Sequence, residues 1–193
     1  VTFLRYSISL QGNNTTFSGI RFVVDERSKS FKLYNSIFSN NFDSCIIWKS
    51  VDGLIDNCTF KDNIATGNYV KGLAVQSLAN NLRIIGSKFI DNSIEGNVNP
   101  DDGGMLYVNS SNVTISYCTF KDNSANYGSH ILLSTGSSDI IISYCEFING
   151  SGIDSYGHAI KIDSSGNVVI SYSNFTGNKL RDTGSWNGGA IIV

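Results

Sequence analysis

Three aspartates, Asp62, Asp91 and Asp122, stand at one place in three copies of a phrase, two residues after the phenylalanine of "FKDN", "FIDN" and "FKDN". Asn40 and Asn149 take that place in two further copies. Ionised carboxylates brought close together repel. Such a column would be stabilised by shared Ca²⁺, by backbone N–H donors at a turn, or by water beside Lys61 and Lys121. The column is therefore a candidate Ca²⁺ site. Polysaccharide lyase chemistry would need the same cluster plus a general base in one groove. The basic residues of this chain are scattered, so the expectation is a non-enzyme.

The second constellation is aromatic. Tyr69, Tyr127, Tyr156 and Trp186 each fall near the end of a variable segment, and Trp48 and Tyr107 lie just beyond one. Aromatics in a row suit sugar rings, so these six are the candidate ligand-binding residues. The competing reading is that each packs over its own loop. Tyr117, Tyr144 and Tyr172 form another column, expected as a solvent-facing stack. His130 and His158 fall in neighbouring but different columns without an acid or Ser partner, which leaves nucleophilic catalysis unsupported. The four cysteines lack a CxxC or His partner, so no zinc and no other cofactor is implied. Cys118 and Cys145 replace Ser in their column and read as buried free thiols, and Cys45 and Cys58 as equally structural.

What positions these residues is a repeat. Phe38, Phe60, Phe89, Phe120, Phe147 and Phe175 recur at intervals of 22 to 31 residues. Five residues before each stands an aliphatic residue, from Leu33 and Ile55 to Ile170. Two before stands Ser or Cys, and three after stand Asn41, Asn63, Asn92, Asn123, Gly150 and Asn178. "FSGIRFVVD" reads as a looser first copy with Phe22 as its Phe. A second block, "SCII", "GLAV", "GGML", "GSHI", "GHAI" and "GGAI", ends on Ile47, Val75, Leu106, Ile131, Ile160 and Ile191. From this block to the next Phe the distance is 13 to 16 residues, whereas the distance from Phe to block varies from 9 to 17. One edge of each unit is fixed and the other carries loops of free length.

Short β-rich segments repeated at this period describe a solenoid whose like residues stack about 4.8 Å apart. No unit carries a helical periodicity. The expected architecture is all-β, a right-handed parallel β-helix of about seven coils spanning residues 1–193 as one domain. The Phe and Asn columns are its structural ladders, with each Asn turned inward to bond backbone.

Composition excludes several classes. Of 193 residues 41% are hydrophobic and 16% charged, so the chain can fold. A net charge of −2 offers nothing to nucleic acid, and no apolar run is long enough to insert in a membrane. Sequons at Asn13, Asn14, Asn57, Asn109, Asn112, Asn149 and Asn174 fit a secreted glycoprotein. The end at "GGAIIV" carries no polar cap, and solenoid ends need one. The chain therefore reads as a fragment of a longer repeat protein, or as one that associates end to end.

The alternation of "FxxN" with "GGAI"-like tetrapeptides, strict at Gly188–Ile191 and degenerate in "GGML" and "GHAI", resembles the repeats of adhesin-like surface proteins. These are the chlamydial polymorphic outer-membrane proteins and the adhesin-like proteins of methanogenic archaea and some protists. The resemblance covers Phe31 to the C-terminus. It implies an extracellular or cell-surface stalk that presents loops to a glycan or a cell-surface protein. It supplies no catalytic residue. A self-assembling envelope component is the alternative, and a polysaccharide lyase the second.

Overall fold

The computed structural model describes residues 2–3, 8–28, 30–67, 69–95, 103–125, 127–152, 159–164, 166–180 and 190–193. All described strands pair in parallel with strands one coil away. The chain is a right-handed parallel β-helix, the hand that crossover sterics favour for parallel strands.

Three faces make each coil. One is an eight-stranded sheet of Thr2–Phe3, Phe22–Val24, Ile46–Trp48, Val75–Ser77, Leu106–Val108, Ile131–Leu133, Ile160–Ile162 and Ile191–Ile192. The second is a long sheet that bends at a corner into two ladders. One ladder holds the aliphatic column (Leu33, Ile55, Ile84, Ile115, Ile142) and the other holds the Phe column. The third face is short, with rungs Ile64, Ser93, Ser124, Ser151 and Lys179. The helix makes about five complete turns, against an expected seven coils.

Residues point inward because sheet side chains alternate. Phe38, Phe60, Phe89, Phe120 and Phe147 are fully buried. Their rings stack 4.5–5.1 Å apart, within 12° of parallel, and Phe175 continues the stack at 4.7 Å. The first rung is Phe17, in register with Phe38, rather than the expected Phe22. Phe22 pairs with Ile46 in the eight-stranded sheet.

The corners explain why one edge has constant length. From Phe38 to Phe147, the residues eight before, three before and two after the ladder Phe adopt positive φ, and Phe175 keeps the last two of these corners. They include Asp52, Asn81, Asn112 and Asp139 at the first corner, and Asn35, Asn57, Gly86, Tyr117, Tyr144 and Tyr172 at the second. Asn40, Asp62, Asp91, Asp122, Asn149 and Gly177 make the third. Left-handed backbone is cheapest for Gly and tolerable for Asn and Asp. The five-residue spacing between these corners fixes two faces of every coil.

The carboxylate column is therefore a turn column. Asp62 and Asp122 lie beside Lys61 and Lys121, at 3.7 and 3.5 Å. Asp122 also accepts an amide N–H from Asn149 at 2.9 Å. Asp is used here for its left-handed backbone, which accounts for the regular spacing without a cation. Among the described residues no group of His, Cys, Asp or Glu is arranged to hold a metal.

Inside the third corner runs a buried amide ladder. Asn41 Nδ2 donates to Asn63 Oδ1, Asn63 to Asn92 and Asn92 to Asn123, at 2.8–2.9 Å. Each acceptor Oδ1 also takes the backbone N–H of the preceding Asn. Each Nδ2 of Asn63, Asn92 and Asn123 gives its second proton to the carbonyl of the ladder Phe one coil back. Every hydrogen-bonding site of these buried amides is thus used. The Ser and Cys column acts similarly at the second corner. Ser36 and Ser87 hydroxyls donate to the carbonyl two residues earlier, and the thiols of Cys58, Cys118 and Cys145 do the same at 3.3–3.4 Å.

Two outcomes are expected. Asn92→Ala orphans Asn63 N–H and Phe60 C=O and should cost about 2–4 kcal/mol in denaturant unfolding, whereas Asn112→Gly at an exposed corner should change stability by less than about 0.5 kcal/mol. Equal losses would remove the ladder's role. Cys58→Ser and Cys145→Ser should melt within a few degrees of the parent, because Ser already serves in that column.

Candidate functional site

The loops join the third face to the eight-stranded sheet, so their described residues border the outer side of that sheet. Its outward column is Val23, Ile47, Gln76, Tyr107, Leu132 and Lys161. Two hollows lie on this side and share Lys71. One, of about 380 Å³, is lined by Arg21, Phe42, Asp43, Tyr69 and Gln76 among others. The other, of about 250 Å³, includes Tyr107, Asn109, Ser134 and Asp163. The outcome is a discontinuous groove of mixed lining, in which Ile47, Val70 and Leu132 stand among polar and charged side chains.

Charges in the groove are paired across short distances. Arg21 forms an ion pair with Asp43. Lys161 Nζ lies 2.8 Å from Asp163 and 5.1 Å above the Tyr127 ring. Lys71 Nζ sits 5.4 Å above the Tyr107 ring. Such a surface favours a ligand that offers hydroxyls and an apolar ring face over a densely charged one.

The six aromatic candidates separate. Tyr69 is 69% exposed. Tyr107 and Tyr127 are buried, each with a lysine over its ring, which corrects their reading as open ligand contacts. Trp48 is fully buried, donates Nε1–H to Ser50 O at 2.7 Å and packs edge-on against Phe31. Its misplacement has one cause. The register partner of Val75 is Ile46 and not Ile47, and a one-residue slip turns every side chain of a strand to the other face. Gly53 leaves the space that the indole needs, since a Cβ there would stand 2.2 Å from the ring. Tyr156 and Trp186 lie outside the described residues, as does His158. Phe42, 79% exposed, and the outward Gln76 were not singled out by the sequence reading. Alternation within "AVQS" and "MLYV" was the available signal.

The Tyr117, Tyr144 and Tyr172 column lies exposed on the second corner, away from this groove, with rings 4.8–5.0 Å apart. All four cysteines are free and buried. Burial pushes the thiol pKa of Cys45 up to about 12 and that of Cys58 up to about 11. The hydrogen bond with Cys145, together with burial, holds Cys118 well above the usual range. Thiolate is therefore suppressed at Cys45, Cys58 and Cys118, whereas the hydrogen bond with Cys118 lowers the Cys145 pKa against the raising effect of burial.

His130 has a different place from any expected. The Asn column is broken at Gly150, and the His130 imidazole fills the gap. Its Nδ1 lies 3.1 Å from Asn123 Nδ2 and its Nε2 3.2 Å from Asn178 Oδ1. Because Asn123 Nδ2 donates, Nδ1 accepts and the proton resides on Nε2. Burial depresses the pKa to about 3, against a raising contribution from the Asn178 contact and Asp122. This histidine belongs to the ladder.

The family comparison agrees with the geometry. Residues 7–193 match the model of the right-handed β-helix region family, and the chain belongs to that family. No curated protein and no solved structure matches it. The fold is shared by adhesins and carbohydrate-active enzymes.

A pH dependence follows from His130. The folded pKa lies below the unfolded value of about 6.5. Stability is therefore complete above that pH and falls as pH drops toward 3, by about 1.4 kcal/mol per unit from this group. Unfolding curves between pH 7 and pH 4 should show this slope, and His130→Ala should lack it. An identical slope in that variant would contradict a buried neutral imidazole.

Proposed function

We propose that this chain is part of an extracellular, surface-displayed β-helical stalk of the adhesin type. Its loop-side groove binds glycans without turning them over. The reading is carried by Phe42 and Tyr69, 79% and 69% exposed on the rim of the 380 Å³ hollow. Exposed aromatics gain little for folding, and on a rigid scaffold they mark contact surfaces. Gln76, Asn109 and Ser134 add hydrogen-bonding groups suited to sugar hydroxyls. The repeats "FxxN" and "GGAI" support the surface setting by their likeness to adhesin-like proteins.

A glycan array with the purified chain tests this. Phe42→Ala and Tyr69→Ala should each weaken the best glycan roughly two- to tenfold, the range of one ring contact, and leave the melting temperature within a few degrees. Unchanged binding in the double variant contradicts the groove. Unsaturated or shortened products from uronate or neutral polysaccharides, lost in Asp91→Asn, would overturn the non-catalytic reading.

A further inference from the structure

The second corner changes character along the stack. Its first coils carry Asn35 and Asn57, joined by an amide hydrogen bond of 2.7 Å, and then Gly86. The next three carry Tyr117, Tyr144 and Tyr172, with φ between 48° and 56°. Asn and Gly suit this backbone, whereas a bulky residue is an outlier there. The tyrosines do not fill the core, being 63, 48 and 77% exposed. An adjacent outward column changes in step. Lys32, Leu54 and Arg83 give way to Thr114, Ile141 and Val169, of which Ile141 and Val169 are about half exposed. Corner and face together expose three tyrosines with Ile141 and Val169 as a strip over three coils, where the coils before carry Asn35, Asn57 and Gly86 beside Lys32, Leu54 and Arg83.

We propose that this strip docks side by side onto a second copy of the chain. The ring geometry selects the occupant. Adjacent rings are 5.0 and 4.8 Å apart and within 7° of parallel, so the inner faces are closed by their neighbours. Outward the strip offers ring edges and hydroxyls, one per coil. A sugar stacks on a ring face, which the middle ring does not present. An added β-strand would bring side chains to one face about every 6.6 Å, out of step with the rungs. A second copy has the same rung spacing and meets the strip rung for rung, in a symmetric, self-complementary contact. The exposed parts of the three tyrosines amount to roughly 300–500 Å², enlarged by Ile141 and Val169. That is below the roughly 800 Å² per partner of a standard interface, so the contact is a reversible one.

Sedimentation velocity from about 10 µM to about 1 mM, where contacts of this size dissociate, tests the proposal. The parent should shift from monomer to dimer over this range. A triple variant, Tyr117→Asn with Tyr144→Asn and Tyr172→Asn, installs the residue that the first coils already use. It should melt within a few degrees of the parent and stay monomeric. Ile141→Lys with Val169→Lys, which echoes Lys32 and Arg83, should also stay monomeric and decides the matter if the triple variant fails to fold. A parent that is monomeric throughout, or a folded variant of either kind that still dimerises, overturns the proposal. So does a triple variant that loses glycan binding while its self-association persists, since the strip then serves sugar. Phe42→Ala and Tyr69→Ala should leave dimerisation unchanged, which separates this surface from the groove.

Discussion

A hydrogen bond between asparagine side chains, repeated coil after coil in the core, holds this molecule in register. Stacked Phe and Ile side chains supply most of the apolar burial, but burial is non-directional. The amides are directional. From Asn41 to Asn123 each passes one N–H forward and returns the other to a Phe carbonyl. A coil shifted by one residue would strand these groups without water, at about 1–3 kcal/mol for each group left unpaired. Their common orientation in a low-dielectric interior also lets each bond polarise the next. His130 continues the series across Gly150 because a neutral imidazole, like an amide, accepts at one end and donates at the other.

The rest of the coil follows from that constraint. Left-handed corners five residues apart set two faces to a fixed length. Only the segment after the third corner is free to vary, and it opens onto the eight-stranded sheet. The division of labour is physical. The laddered side carries stability and, on its later coils, an exposed aromatic strip. The loop side carries the groove. Gly72 and Gly128 make the re-entry possible, since both have positive φ and a Cβ at either would stand 2.3 Å from a backbone oxygen.

Much of this was legible in the sequence where spacing is constant. The Phe, aliphatic and Asn columns lie between two fixed corners, so their offsets survive from coil to coil, and the parallel β-helix follows from them. What was not legible lies where the spacing breaks or where chemical type misleads. "CIIW" offers two equal aliphatics after a loop, and choosing Ile47 over Ile46 sent Trp48 outward. "FSGIRF" offers two phenylalanines, and the true rung is Phe17. Asp62, Asp91 and Asp122 look like a charge cluster, but what they share with Gly177 is backbone conformation. His130 stands seven residues from Asn123 and fills a vacancy left by Gly150 one coil on. Offset alone cannot find that pairing.

The ladder account is tested most directly by moving the amide. In the His130 column other coils use Cys45, Ala74, Met105, Ala159 and Ala190, and in the Gly150 column they use Asn. Denaturant unfolding at pH 7 should find His130→Ala destabilised by about 2–4 kcal/mol, because one Asn123 Nδ2 proton loses its acceptor and Asn178 Oδ1 loses one of its two donors. Adding Gly150→Asn to that variant should recover most of the loss by restoring an unbroken asparagine series. If Gly150→Asn recovers nothing, or if His130→Ala costs nothing, the buried hydrogen-bonded column is not what aligns the coils.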